Sequence, residues 1–126
     1  MKFHNPESIS TPLGAYSHGV EIPPGSRTIY LSGQVGIGAD DRILDTFEEQ
    51  ADRAWLNIGE ILGSAGMTFR NIVKMSTFMV RAEDYPKARV ARSKYLGDHR
   101  PASSAMVVVA LADPKMLIEI EAVACA

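Results

Sequence analysis

The amino-acid sequence predicts a single α+β domain spanning residues 1–126, with elements in the order β-β-α-β-α-β-β and both helices on one face of the sheet. Three observations support this fold class. A chain of 126 residues has the size of one domain. Two segments carry the apolar spacing or the end signals of helices. Short runs rich in β-branched and aromatic residues lie before, between and after them.

Two strands are predicted before the first helix, at residues 16–22 and 27–32. The sequence Pro-Pro-Gly-Ser at residues 23–26 is a strong turn signal between them. Residues 1–12 are polar, contain two prolines and are expected to form an extended lead-in. The glycine-rich segment 33–38 is expected to break regular structure after the second strand.

The first helix is predicted over residues 46–64. Thr46 and Glu49 have the spacing of a capping box, in which a hydroxyl and a carboxylate bind free amide groups of the first turn. Apolar residues follow at steps of three and four, which gives the helix one apolar face. They are Phe47, Ala51, Ala54, Trp55, Ile58, Ile61, Leu62 and Ala65.

The second half of the chain is predicted to contain three strands and one helix. The strands lie at residues 72–80, 105–111 and 116–124, and the helix begins near Asp84 and ends at Gly97. The segment 105–111 is apolar at alternating positions on both sides, so both of its faces must be covered. Helices can cover one face of so small a sheet, and we expect a second subunit to cover the other.

Composition narrows the class of protein. The chain is 46% hydrophobic and 22% charged, with a net charge of −2 that argues against a dedicated nucleic-acid binder. Its one cysteine, Cys125, cannot form an intrachain disulfide, which fits a reducing cytosol. His4, His18 and His99 are too scattered to predict a metal site. No secretory signal or membrane-spanning run is visible, so a cytoplasmic location is expected.

Four segments of the sequence resemble, in order, the motifs of the RidA/YjgF family, which is also called the L-PSP endoribonuclease-like family. They are Gly14-Ala15-Tyr16-Ser17, Leu31-Ser32-Gly33-Gln34, Pro101-Ala102-Ser103-Ser104 and Leu117-Ile118-Glu119-Ile120-Glu121. The resemblance covers almost the whole chain. It implies a chorismate-mutase-like fold with a mixed sheet, and a homotrimer whose three sheets form a central barrel.

The resemblance also implies a cleft between subunits that binds a small molecule, such as a short keto or imino acid, without a metal or cofactor. On the family's pattern Tyr16 lines the cleft, Ser32 and the Gly33 backbone face the ligand, and Glu119 orients or activates water. The implied reaction is hydrolysis of an enamine or imine to the carbonyl compound and ammonia. Glu119 and Glu121 share one face of a strand, so a solvated strand face is the alternative for this pair.

Ser103 departs from the family's usual pattern, in which an arginine follows Pro-Ala. A serine hydroxyl can bind one carboxylate oxygen but lacks the charge and the fork of a guanidinium. We keep Ser103 as a candidate catalytic residue. Arg89 and Arg92 share one face of the second helix and could supply the missing charge, and Arg89 is counted among the substrate-binding candidates. A solvated helix face is the alternative for both arginines.

Three functions therefore remain open. The first is a trimeric enamine or imine deaminase. The second is a ligand-sensing trimer without turnover, which Ser103 favours. The third is an endoribonuclease, which the net charge of −2 and the lack of an obvious basic stripe disfavour. Ammonia release from freshly generated imino acids would separate the first two.

Overall fold

The computed structural model describes all 126 residues and contains six strands and two α-helices. The strands are β1 (Lys2–His4), β2 (Gly19–Glu21), β3 (Thr28–Val35), β4 (Ile72–Met79), β5 (Ala102–Val107) and β6 (Ile118–Cys125), and the helices are α1 (Phe47–Ser64) and α2 (Tyr85–Leu96). A four-stranded sheet has the order β3-β6-β4-β5, with β4 and β5 parallel and the other neighbours antiparallel. The predicted α+β class and mixed sheet are confirmed.

Helices α1 and α2 pack together on one face of this sheet. The predicted capping box forms, because the Thr46 hydroxyl accepts a hydrogen bond from the Glu49 amide and the Glu49 carboxylate accepts one from the Thr46 amide. The apolar stripe of α1 is buried, with Trp55 only 1% exposed, and it packs in one core with Ile118 and Ile120 of β6. Each such side chain stabilises the fold by about 2 kcal/mol when buried.

The N-terminal segment differs from the prediction. Residues 1–12 contain strand β1, which pairs antiparallel with β2 in a separate two-stranded sheet. The predicted strand at 16–22 is reduced to β2, because Ser17 instead forms a parallel bridge with Ala102 of β5. The lead-in does contain an extended segment, but its pairing was not predicted, since its partner β2 is a strand too short to produce a local pattern.

Strand β3 runs further than predicted, through Gly33 to Val35. Its ladder with β6 shifts register between Leu31 and Gln34, which indicates a β-bulge at this point. A bulge bends the strand and re-aims nearby side chains without ending the ladder. The first glycine of segment 33–38 therefore lies inside the sheet rather than beyond it.

Strand β5 begins earlier than predicted and ends at Val107 rather than at residue 111. Its parallel ladder with β4 stops at the pair Met79–Val107, because β4 ends at Met79 and offers no further partner. Ser103 therefore lies inside the strand. The end of this segment is uncovered in the single chain, where Val107 is 54% exposed and Val109 fully so.

The opposite face of the sheet carries no helix, and we call it the open face. Side chains alternate along β6, so Glu119 and Glu121 point to the open face while Ile118 and Ile120 point to the helices. A shallow depression of about 280 Å³ lies on this face. Its polar lining consists of Tyr30, Ser32, Lys74, Ser76 and Glu121.

A cluster of polar contacts joins α2 to α1. The Asp52 carboxylate accepts hydrogen bonds from Lys94 Nζ, at 2.5 Å, and from the Tyr95 hydroxyl. The Tyr95 ring stacks on Trp55 with ring centroids 5.7 Å apart. The hydrogen bond from Lys94 lowers the pKa of Asp52, and the one from Tyr95 lowers it further. The ionised carboxylate therefore stabilises the folded state.

Asp52→Asn should lower the free energy of unfolding by about 1 kcal/mol at neutral pH, because solvent screens an ion pair that is partly exposed. A lowered pKa stabilises the fold above the unfolded-state value of 3.8 and ceases to do so as the pH falls through the folded-state value. The difference between wild type and variant should therefore be constant from about pH 5 to pH 7 and shrink below about pH 4.

Denaturant unfolding across this pH range measures the effect. Glu60→Gln is the control, since Glu60 is exposed on the same helix and forms no ion pair. Equal losses of stability in the two variants would contradict the assigned role of Asp52.

Candidate functional site

A cavity of about 470 Å³ lies beside the edge strand β5, on the helix side of the sheet. We call it the β5 cavity, and its polar lining consists of Tyr16, Tyr85, Arg92 and Ser103. Tyr16 is held here because the next residue, Ser17, pairs with the start of β5. The structure thus brings together two predicted site residues, Tyr16 and Ser103, with Tyr85, which no sequence signal singled out.

Arg92 supplies the positive charge of the β5 cavity. Its side chain is half-buried, and burial lowers its pKa, as do the neighbouring charges of Arg89 and Arg100, whereas Tyr85 acts in the opposite direction. The guanidinium nevertheless remains protonated at physiological pH. No carboxylate forms an ion pair with it. Arg92 therefore supplies a positive charge beside Ser103, whose own side chain is uncharged.

Arg89 lies at the rim of this region rather than inside the cavity. It is exposed, and its guanidinium carbon lies 6.0 Å from the centroid of the Tyr85 ring. It lines a narrow crevice between α2 and β5 that shares Tyr85, Arg92 and Ser103 with the β5 cavity. Arg89 and Arg92 thus share one helix face, but Arg89 is exposed and Arg92 is half-buried.

Glu119 and Gly33 lie together on the open face. The Glu119 side chain crosses Gly33 so closely that a Cβ atom at position 33 would be 1.8 Å from Glu119 Oε1. Only glycine allows the carboxylate to lie here. No cation forms an ion pair with this carboxylate, so its oxygens can accept hydrogen bonds from water or a ligand.

Ser32 and Glu121 also lie on the open face. Both are exposed, and both line the shallow depression beside Lys74 and Ser76. Glu119 is half-buried. Glu119 and Glu121 thus share one face of the strand, as their spacing predicts, but only Glu121 is exposed and lines the depression.

Gln50, which sequence reasoning missed, holds the start of β6. Its side chain is fully buried, and its Nε2 donates to the carbonyls of Leu44 and Lys115, both at 2.8 Å. Its Oε1 accepts a hydrogen bond from the Leu117 amide, also at 2.8 Å. Leu117 precedes Glu119 by two residues, so Gln50 helps to position this carboxylate. A polar residue beside the apolar stripe of α1 was the only signal in the sequence.

Within one chain the predicted site residues form two groups on opposite faces of the sheet. Tyr16 and Ser103 lie at the β5 cavity on the helix side. Ser32, Gly33 and Glu119 lie on the open face. A single subunit therefore does not bring Glu119 to Ser103.

The three histidines lie apart and have separate partners. His4 pairs with Glu21, whereas the rings of His18 and His99 bind backbone carbonyls. No group of three or more His, Cys, Asp or Glu side chains is placed to hold a metal ion. Neither helix combines the length and apolar character needed to cross a membrane.

The architecture, two helices on one face of a β3-β6-β4-β5 sheet, defines a Rid-type α+β domain. The conserved Rid protein YyfB from Yersinia pestis matches it with a TM-score of 0.88 at 31% identity, covering 99% of this chain and 98% of that one. A putative endoribonuclease from Thermotoga maritima matches with a TM-score of 0.75 at 29% identity, covering 100% and 98%.

Sequence comparison gives the same assignment. The model of the endoribonuclease L-PSP family matches residues 7–126. A 2-iminobutanoate/2-iminopropanoate deaminase from Rattus norvegicus is 37% identical over 115 residues, which are 89% of this chain and 80% of the relative. The chain belongs to the endoribonuclease L-PSP family, which is the RidA/YjgF family that the four sequence motifs indicated.

Gly33→Ala should displace the Glu119 carboxylate while leaving the fold intact. The added Cβ atom would lie 1.8 Å from Glu119 Oε1, and real Cβ contacts stay beyond 3.0 Å, so the flexible glutamate side chain must move away. A crystal structure of the variant, with thermal unfolding, measures both effects.

Gly63→Ala is the matched control, because nothing lies within 4 Å of a Cβ atom there. Since Gly63 lies in α1, this change should stabilise the chain by up to about 1 kcal/mol. If Glu119 stayed in place in Gly33→Ala and the strand moved instead, the position of the carboxylate would not depend on glycine at position 33, which would contradict the prediction.

Proposed function

We propose that the protein is a cytoplasmic homotrimer that binds a small imino or keto acid between subunits and hydrolyses reactive enamines or imines to the carbonyl compound and ammonia. The observation that carries the proposal is the Glu119 carboxylate held over Gly33 without a cationic partner, since it leaves a base free to accept a proton from water. Relatives named 2-iminobutanoate/2-iminopropanoate deaminase, at 37% identity, support the reaction class.

A trimer is proposed because the two groups of site residues lie on opposite faces of one sheet. Packing of the β5 edge of one subunit against the open face of the next would bring the β5 cavity close to a neighbour's Glu119. Val107 and Val109 at this edge are exposed in the single chain, which supports such packing. Burying each would stabilise the assembly by about 1.5 kcal/mol or more.

Sedimentation at micromolar concentration should therefore give the mass of three chains. Val109→Asp should weaken the trimer, because a carboxylate would be buried without a partner. Leu56→Asp is the control, since Leu56 is 41% exposed on α1, away from the β5 edge. A monomeric wild type would remove the cleft between subunits and most of the proposed site.

The reaction needs one positioned base and no cofactor, because a protonated imine is already electrophilic. Water adds to the imine carbon and gives a proton to the Glu119 carboxylate. Glu119 then returns this proton to the amine nitrogen. As the carbon–nitrogen bond breaks and ammonia leaves, the Glu119 carboxylate takes the hydroxyl proton, so that a carbonyl group remains. In this proposal Tyr16, Ser32 and the Gly33 backbone orient the substrate.

The substrate carboxylate needs a positive charge that β5 lacks. We propose that Arg92 provides it, because this arginine already lines the cavity with Ser103 and has no carboxylate partner. Ser103 contributes one neutral hydrogen bond. A charge-assisted hydrogen bond contributes roughly 1.5–3 kcal/mol against about 1 kcal/mol for a neutral one, so most of the carboxylate affinity comes from the arginine.

Glu119→Gln should reduce turnover by roughly ten- to a thousandfold, the range for loss of a positioned acid–base group. The amide keeps the shape of the side chain but cannot accept the proton from water. Ammonia release from imino acids generated in the assay measures the change. Glu121→Gln on the same strand face is the control, and equal losses in both variants would indicate a general electrostatic role instead.

A ligand-sensing trimer without turnover is the second candidate, and Ser103 is the observation that favours it. Such a protein would bind keto acids in calorimetry but release no ammonia above the spontaneous rate from any imine. The deaminase proposal requires both binding and turnover.

A further inference from the structure

The four basic residues of α2 differ in how their charges are neutralised. Both lysines form ion pairs with carboxylates of α1, at 3.0 Å and 2.5 Å. Arg89 and Arg92 form none. Arg100, just beyond the helix, donates only to the backbone carbonyls of Gly97 and His99. Three guanidinium groups therefore remain without an acidic partner.

Two of these three guanidinium groups lie at or beside the β5 cavity. Arg92 lines the cavity, Arg89 lines the crevice that continues from it, and Ser103 borders both spaces. No aspartate or glutamate lines either space. Burial is the main cause of the lowered pKa of Arg92, and repulsion by the charges of Arg89 and Arg100 lowers it further. An anionic ligand would relieve this repulsion.

Two arginines, Arg89 and Arg92, line these spaces, and their number suggests how many anionic groups the ligand carries. One guanidinium fork satisfies one carboxylate. Residues three apart on a helix have Cβ atoms about 5–6 Å apart, a spacing that suits two anionic groups joined by a short carbon chain. The small side chains of Ser103 and Ala105 leave room for such a chain, and a cavity of about 470 Å³ is within the range of ligand-binding sites.

We propose that Arg89 and Arg92 select imino acids with a second anionic group, namely the imines of dicarboxylic amino acids, over imines with short apolar side chains. The inference rests on the proposed function for the reaction itself. Arg92, inside the cavity, binds the carboxylate next to the reacting carbon. Arg89, at the rim, binds the distal carboxylate. Serine at position 103 keeps the passage between them open.

The first test compares imines generated by amino-acid oxidases from glutamate and from alanine, with imine decay followed by semicarbazide trapping. The kcat/KM for the diacid imine should exceed that for the monoacid imine by about tenfold or more, the effect of one added charge-assisted contact. Arg89→Gln should remove this preference, because it should lower the rate for the diacid imine more than the rate for the monoacid imine. Arg92→Gln should lower both rates.

Lys87→Gln is the matched control, because it removes the same charge from the same helix at a residue that is paired with Glu48. It should leave the preference unchanged. Loss of the preference in both Arg89→Gln and Lys87→Gln would overturn the inference, because it would indicate a general electrostatic effect of the positive charges on α2. A wild type that prefers the monoacid imine would overturn it as well, while leaving the deaminase proposal standing.

Calorimetry with the stable keto acids 2-oxoglutarate and 2-oxobutanoate supplies a readout that does not depend on turnover. Tighter binding of 2-oxoglutarate that is lost in Arg89→Gln would support diacid selection even if no imine is hydrolysed. Absence of hydrolysis would contradict only the proposed reaction. Equal affinity for the two keto acids would overturn the selection.

Discussion

The buried side chain of Gln50 holds together the parts of the chain that carry the carboxylate site. Its three hydrogen bonds all go to backbone groups, and leaving one of these buried groups unpaired would cost about 1–3 kcal/mol. Gly36, just after β3, lies against the same residue, since a Cβ atom there would be 2.4 Å from Gln50 Cα. The ends of β3 and β6 that carry Gly33 and Glu119 are thus fixed on one turn of α1.

The elements with a strong local pattern were predictable from the sequence. Helix α1 has a capping box and a long apolar stripe, and it forms where the pattern indicates. Strand β4 lies within the predicted range 72–80, and β6 differs from its prediction only at the ends. These elements form through contacts with the core, and such contacts require apolar residues at regular spacing, which is visible in the sequence.

The parts of the structure that depend on distant pairing were not predictable. The limits of β5 follow from where β4 ends, and β1 exists because β2 lies beside it. Arg89 and Arg92 have equivalent positions in the sequence pattern, and only the packing of α2 against β5 makes one half-buried and the other exposed. Which arginine enters the cavity is therefore a property of tertiary structure.

The close approach of Glu119 to Gly33 constrains the order in which these positions can change during evolution. The Glu119 carboxylate keeps its place only while position 33 has no side chain, whereas a smaller residue at 119 would leave room for one. Once a side chain has become established at position 33, a glutamate that returns to position 119 by a single substitution can no longer place its carboxylate where it now lies. The position of the carboxylate is thus easily lost for good, since restoring it would then require changes at both residues.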